Sequence, residues 1–573
     1  MLELSEKGGH EMEKKAVSIL LTTVLGATLF TSTSTFAAPG PGPSIEKGVK
    51  TNVHTGKRTA HPVFSWDQPG PSSPVLHPGS VRGAGMREEP LQDIDPLLLS
   101  AIEDNVMPGA VALVARRGHI VKEEAYGYAM KYEDDEFTPS ENPIPMTKDT
   151  IFDLASISKI FTTTAAMILY EQDAFELNDP VAKHLPEFAE NGKEDVTIEQ
   201  LLTHTSGFKA WIPLYTVEGD RNDRLQHVLQ YPLKNEPGST YTYSDLNMIT
   251  LGALVERLSN MRLDEFVEKH ITKPLKMKDT MYNPEEDLKP RIAATEDQPW
   301  TNRGLVWGEV HDESAWSLDG VAGHAGVFST ANDLAKFAHM FLNEGTYGNK
   351  KILEPETVKL LTENRIPQFP GDEHGLGWEL QQGWYMDALS SQGTYGHTGY
   401  TGTSIVVNPE NDTIAILLTN RVHPTRETVS TNGARRGFAR KVADAIPVQM
   451  DKKANPWFSG YGDQLENQLD AEVTLNETAS LSFRTWFEIE NGYDYGTLEV
   501  SDDGETWTTL DRFTGDSNGW VSRNVELPSD TTHIRFTYET DGSVNNRGWY
   551  IDDLKLNGKG LDVESDSWEK RPY

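Results

Sequence analysis

The sequence predicts an α/β (α+β) domain, with an antiparallel sheet flanked by terminal helices plus an all-helical subdomain, followed by an all-β sandwich. Three observations lead there. Apolar runs with strand spacing stand at both ends of the first 446 residues, helical periodicity fills the stretch between them, and strict alternation takes over after residue 451. At 573 residues the chain also exceeds the roughly 250–300 residues that a single hydrophobic core serves, so it must hold at least two domains.

The chain opens with Lys14-Lys15, an apolar run from Ala16 to Leu29, and small residues around Thr35-Phe36-Ala37. Residues 1–37 are therefore expected to be an upstream extension and signal peptide, with Met12 as the natural start. The run is shorter than the roughly 20 residues that span a bilayer, and no later segment is long and apolar enough, so no transmembrane segment is expected. Residues 38–85 carry PGPGPS, DQPGPSSP and HPGS with little apolar periodicity, which predicts a linker.

The first folded domain is expected over 86–446. Leu91, Ile94, Leu97, Leu98 and Ile102 keep helical spacing, and Val111–Val114 with Ile120-Val121 flank Arg116-Arg117-Gly118 as a hairpin. Helical patterns dominate from Ile151 to about Glu363. Two strands follow, Ser404–Val407 and Thr413–Leu418, and a helix from about Arg435 to Ala445 closes the domain.

The second domain, 451–560 with a tail at 561–573, alternates in Leu481–Phe487, Thr497–Val500, Thr506–Leu510 and Ile534–Tyr538, and places an Asp503-Gly504 turn between two of these strands. From Lys452 to Tyr573 it carries 11 basic and 24 acidic residues. Solvated acidity is the expected role of those carboxylates rather than calcium binding, since no spaced loop motif accompanies them. Trp549 and Tyr550 could bind a sugar face, but aromatics at strand spacing ordinarily build a sandwich core.

The whole chain has a formal charge of −35, which disfavours nucleic acid and anionic membrane surfaces as partners. Cysteine is absent, which excludes disulfides, thiolate catalysis and cysteine-ligated metals.

Three short motifs carry chemistry. Ser156-Ile157-Ser158-Lys159 sets a hydroxyl and an amine three residues apart on one helix face, and a lysine in a dry pocket loses proton affinity and can serve as base toward Ser156. The spacing alone is common, with about two chance matches expected in a chain of this length. Tyr243-Ser244-Asp245 stands where a loop enters a helix. There the Tyr243 phenol could relay a proton, while Asp245 or Asn247 bonds substrate or the lysine, although Asp245 could also cap the helix. His397-Thr398-Gly399 precedes a strand, and the backbone N–H groups of Tyr400 and Ser156 could together form an oxyanion hole. His204 and His324, each before a helical pattern, are expected to shape loops.

The ordered trio resembles the penicillin-binding-protein and class C β-lactamase-like serine hydrolases. The resemblance runs from about Met86 to Ile446 and includes Leu201-Leu-Thr-His-Thr-Ser-Gly207 and Gly396-His-Thr-Gly-Tyr-Thr-Gly402. It implies Ser156 as the acylated nucleophile, Lys159 as its base partner, Tyr243 as general acid/base and His397, Thr398 and Gly399 as the sheet-edge motif, with no metal or organic cofactor. Two departures bear on substrate. The third motif begins with His397 where the family commonly has Lys, and the second ends in Asp245 where Asn is usual. Both argue against efficient β-lactam hydrolysis or D-Ala-D-Ala carboxypeptidase action, unless a cation such as Arg421 meets the substrate carboxylate.

The C-terminal unit resembles the MAM-like β-sandwich of immune-inhibitor-A-type secreted proteases, through Ile489–Tyr495, Val500–Trp507 and Gly548–Asp553. Together these features predict a secreted or wall-associated serine hydrolase acting through an acyl-enzyme on a small-molecule or muropeptide-type substrate, an amide or peptide derived from the cell wall. The alternatives are a carboxylesterase of the same fold and a non-catalytic wall-binding or sensor module. The sandwich is a candidate for cell-wall or glycan contact.

Overall fold

The computed structural model describes residues 64–448 and 454–573. The expected signal peptide and residues 38–63 of the expected linker lie outside the described residues. The described residues form one unit.

In chain order, the elements that build the first domain are β1 (His77–Pro78), α1 (Ile94–Glu103), β2 (Gly109–Arg116), β3 (His119–Tyr132), α2 (Ser158–Glu171), α3 (Asp245–Ser259), α4 (Ala331–Leu342), β4 (Glu379–Leu380), α5 (Gly383–Met386), β5 (Tyr395–Thr398), β6 (Ser404–Asn408), β7 (Thr413–Thr419) and α6 (Asn432–Asp444). The sheet runs β1-β3-β2-β7-β6-β5-β4, and every pairing in it is antiparallel except β1 with β3. The β2–β3 hairpin turns on Arg117 and Gly118, both left-handed, at φ 55° and 82°. Strand β2 is buried on both faces. Val111, Leu113 and Ala115 join a core with α2, α3 and α4, while Ala110, Ala112 and Val114 join a second core with α1 and α6. That division is the sandwiching of a sheet between terminal helices and a helical region. A small sheet of Phe152–Asp153, Val327–Ser329 and Met281–Tyr282 threads the helical region.

The linker expected over 38–85 is corrected in its described part. Ser73 N–H donates to Arg117 O at 2.9 Å, Arg116 Nη1 donates to Gly85 O at 2.6 Å, and Ala84 is fully buried. The segment has no core of its own; it folds by laying its backbone polar groups on the β2–β3 turn.

The second domain contains β8 (Trp457–Phe458), β9 (Glu466–Glu472), β10 (Ala479–Ile489), β11 (Tyr495–Ser501), β12 (Thr508–Phe513), β13 (Val521–Leu527), β14 (His533–Glu539), β15 (Gly548–Leu556) and β16 (Glu569–Lys570). One sheet runs β9-β14-β11-β12; the other is built on β10, β15, β8 and β16, with β13 beside β10. Trp549 and Tyr550 are buried, so their place is the core and not a sugar platform. The tail expected at 561–573 is part of the sandwich, because Trp568 is buried in its core and β16 pairs with β8. The two domains pack closely. Arg440 reaches Asp463 at 2.5 Å, Arg571 pairs with Asp444, and Arg547 donates to the Ile446 carbonyl.

Candidate active site

Ser156 sits on a 3₁₀ turn, Ala155–Ile157, that leads directly into α2. The turn is held in a costly conformation: Ala155 has φ 47°, a left-handed value that disfavours a residue with a Cβ. Asp153 fixes it, accepting Ala155 N–H at 2.8 Å and, on its other oxygen, His311 N–H at 2.6 Å. Thr401 Oγ1 donates to the Asp153 carbonyl at 2.8 Å, so the third motif's loop grips the turn that carries Ser156.

One helical turn on, Lys159 is buried and its Nζ meets three groups: Ser156 Oγ at 2.9 Å, Asp245 Oδ1 at 2.8 Å and the His324 carbonyl at 3.1 Å. Tyr243 lies beside it, with Nζ 4.8 Å from the ring centroid. The loop bearing Tyr243 is clamped from beneath by His204, whose Nδ1 accepts Ser244 N–H at 3.1 Å. Ser244 occupies the N-cap of α3, which frees the Asp245 carboxylate for the lysine and removes the capping role considered for it.

The structure does not bring Asn247 to the site. It is buried in α3, accepting from Ser206 Oγ at 2.5 Å and donating from Nδ2 to His204 Nδ1 at 3.2 Å, so it braces the clamp rather than contacting substrate. His204 is structural, as expected. His324 contributes its carbonyl to Lys159 while its Nε2 bonds Asp312 Oδ1 at 2.8 Å, a role beyond loop shaping.

A pocket of about 370 Å³ joins Ser156, Tyr243, Thr398, Gly399, Tyr400 and Arg421, the last reaching it from just beyond β7. Gly399 leaves no room for a side chain, since a Cβ there would stand 2.3 Å from the Leu154 carbonyl. His397 is buried behind the pocket wall, its ring centroid 6.1 Å from that of Tyr243, and its Nδ1–H donates to the Thr398 carbonyl at 2.8 Å. Arg421 lies 5.8 Å from the Tyr400 ring centroid and donates to the Thr428 carbonyl at 3.3 Å. Three further residues line the pocket: Glu379 from β4, Trp384 from α5 and Arg435 from α6. Arg435 holds the motif loop in place through Nη2, which donates to the Gly399 and Thr403 carbonyls at 3.0 and 2.9 Å. None of the three stands in a spaced motif, and the pairing of β4 with β5 brings Glu379 to the pocket.

The electrostatics correct one expectation. Burial does pull the Lys159 ammonium down, but the Asp245 carboxylate and Tyr243 outweigh it and hold its pKa above the ordinary lysine value. Burial pushes the Tyr243 phenol up to about 12, with Lys159 pulling back. The resting site is therefore proton-rich, with an ammonium, a carboxylate and a neutral phenol around the hydroxyl. His397 is driven down to about 3 by burial and by Lys159, so the third motif presents a neutral ring. Glu379 is raised to about 7 by burial, which makes it the pocket carboxyl that titrates near neutrality.

The family profile described as Beta-lactamase matches residues 94–440, and that of the immune inhibitor A-like MAM domain matches 442–571. A Salmonella agona (strain SL483) protein named "Putative D-alanyl-D-alanine carboxypeptidase" is 36% identical over 382 residues, covering 61% of this chain and 87% of its own. A protein of the same name from Salmonella schwarzengrund (strain CVM19633) is 37% identical with the same coverage. Among solved structures, a class C beta-lactamase superposes with a TM-score of 0.52 at 18% identity, over 63% of this chain and 98% of its own. With Ser156, Lys159 and Tyr243 gathered on the matched segment, the chain belongs to the beta-lactamase family of serine hydrolases and carries an immune inhibitor A-like MAM domain behind it.

Proposed function

We propose that the protein is a secreted hydrolase that cleaves an amide or peptide derived from the cell wall through an acyl-enzyme on Ser156. The observation that carries this reading is the contact of one lysine, Lys159, with both Ser156 Oγ and the Asp245 carboxylate, at the floor of a pocket that also holds Arg421. Lys159 first releases a proton to solvent; Ser156 Oγ then attacks the substrate carbonyl as its proton passes to the neutral Lys159 amine, which later restores the proton that Tyr243 gives to the leaving group. The oxyanion is held by the backbone N–H groups of Ser156 and Tyr400, and Tyr243 protonates the leaving amine. Water then releases the acyl group.

Arg421 supplies the cation that the His-for-Lys exchange in the third motif removes, so a terminal carboxylate can still be met in the pocket. The names of the Salmonella relatives support a D-alanyl-D-alanine-type peptide as the first substrate to try. A second reading, a carboxylesterase, is favoured by the neutral His397 ring, which gives no charge to an anionic substrate.

The test is intact-mass analysis of the full chain after incubation with a muropeptide pool, an acetyl ester and a labelled penicillin, with fluorophosphonate labelling as control. An adduct lost in Ser156→Ala, with peptide release from muropeptides, is the expected result. Ester turnover without peptide release would select the esterase. A folded protein that forms no covalent adduct with any reagent would overturn both.

A further inference from the structure

The carboxylates of Glu490, Asp494 and Asp541 converge at one end of the sandwich, in the loops that follow β10 and β14. One oxygen or more of each lies within 4.8 Å of the others. Asp494 is fully buried; one oxygen accepts Asp541 N–H at 2.8 Å, while Oδ2 has no hydrogen-bond partner. Glu490 Oε2 is buried without a partner too. Asn545, four residues past Asp541 in the same loop, is fully buried with both amide atoms unpartnered. No lysine or arginine forms an ion pair with the three carboxylates among the described residues. The nearby Asp387 and Asp463 are different, because Arg440 meets them at 3.0 and 2.5 Å.

A buried carboxylate oxygen with no partner costs several kcal/mol unless something else compensates it. We propose that Glu490, Asp494 and Asp541, with the Asn545 amide oxygen, bind a divalent cation of the calcium class. Oxygen-only donors select a hard cation. Calcium binds at about 2.3–2.6 Å, so two of its ligands can stand up to about 5 Å apart, whereas magnesium at about 2.1 Å demands a tighter set.

The site also reaches the hydrolase. Val544 lies between Asp541 and Asn545, and its Cγ1 would stand 2.8 Å from a Cβ placed on Gly383, the first residue of α5. The next residue, Trp384, lines the Ser156 pocket. Fixing the 541–545 loop therefore fixes the turn that carries Trp384. This coupling rests on the functional reading above, and the cation site does not.

The experiment uses the full chain, stripped with EDTA and dialysed, and titrated calorimetrically with Ca²⁺ and in parallel with Mg²⁺. Expected are one Ca²⁺ per chain, a Tm several degrees higher with Ca²⁺, and at least tenfold weaker binding in Asp541→Asn, an exposed position whose change leaves the fold intact. Fluorophosphonate labelling of Ser156 should change at least twofold on adding Ca²⁺. Absence of saturable Ca²⁺ binding would overturn the site, as would binding to Asp541→Asn and Asp494→Asn with wild-type affinity. A chelated Asp494→Asn more stable than wild type, with wild type indifferent to Ca²⁺, would show carboxyls that merely share protons and would overturn it equally. Saturable binding that leaves labelling unchanged would overturn the link to the pocket alone.

Discussion

Asp245→Asn isolates the charge that holds Lys159 protonated. The two groups stand 2.8 Å apart with the lysine side chain 1% exposed and the aspartate side chain 19% exposed. At an effective dielectric of about 20, that separation is worth about 6 kcal/mol, or about four pK units. Solvent at Asp245 reduces the figure, and a shift of at least about two units is expected. Asparagine keeps the shape and removes the charge, so only Tyr243 still opposes burial and the Lys159 pKa falls toward the ordinary value.

The assay is the second-order rate of fluorophosphonate labelling of Ser156 between pH 6 and 11. Across that window the wild-type rate should still be climbing at pH 11, while in the variant the climb should begin at lower pH, by about two units. Stability should follow with a definite sign. In the wild type the folded pKa of Lys159 lies above its unfolded value, so the pair's contribution is fully present below about pH 10.5 and is lost as pH rises through the folded pKa. In the variant the folded pKa moves toward the unfolded one, so the pair's contribution shrinks and the loss of stability at alkaline pH becomes shallower. A rate profile that does not move would refute the assignment of Asp245 as the group controlling Lys159.

Three further outcomes are expected. Gly399→Ala would set a Cβ 2.1 Å from Thr403 Oγ1 and 2.3 Å from the Leu154 carbonyl, so labelling of Ser156 should fall about a hundredfold; unchanged labelling would show that the loop does not position the site. Arg421→Ala should raise KM about tenfold or more for a peptide with a free C-terminal carboxylate and leave p-nitrophenyl acetate untouched, and equal effects on both would remove its substrate role. Urea midpoints should fall steeply below about pH 4.5, where His374 at about 4 and His397 at about 3 bind fewer protons folded than unfolded and Glu296, held near 2, loses its pairing. Above that pH the raised Glu379 and Glu488, both at about 7, have the opposite slope and flatten the curve; a midpoint indifferent to acid would contradict the buried neutral histidines.

What the sequence made legible was local. Ser156 and Lys159 share one helix turn, Tyr243 and Asp245 share one loop, and Thr398 to Tyr400 share one strand end, so spacing alone gathers each group. Glu379, Trp384 and Arg435 reach the pocket through strand register and helix docking, for which no short motif exists. Lys159 shows a different limit. Burial was readable from its apolar neighbours, but the sign of its pKa depends on a carboxylate contributed by another helix. Asn247 follows Asp245 by two residues, about 200° around the helix, and that rotation turns it into the core. The described part of the expected linker was misjudged because composition measures the apolar surface a segment can bury alone, not the backbone groups it can lend to a neighbouring turn.

The sheet order has a consequence in time. Strand β2 pairs with β3 on one side and with β7 on the other, in a register that joins Arg116 to Thr413. About 300 residues separate those partners, which at about 5–20 residues per second is roughly 15 to 60 seconds of synthesis. Through that interval the β2–β3 hairpin presents an apolar face and an open edge. The sheet that carries the third motif can close only after nearly the whole domain has been made, so its burden on chaperones falls on that hairpin.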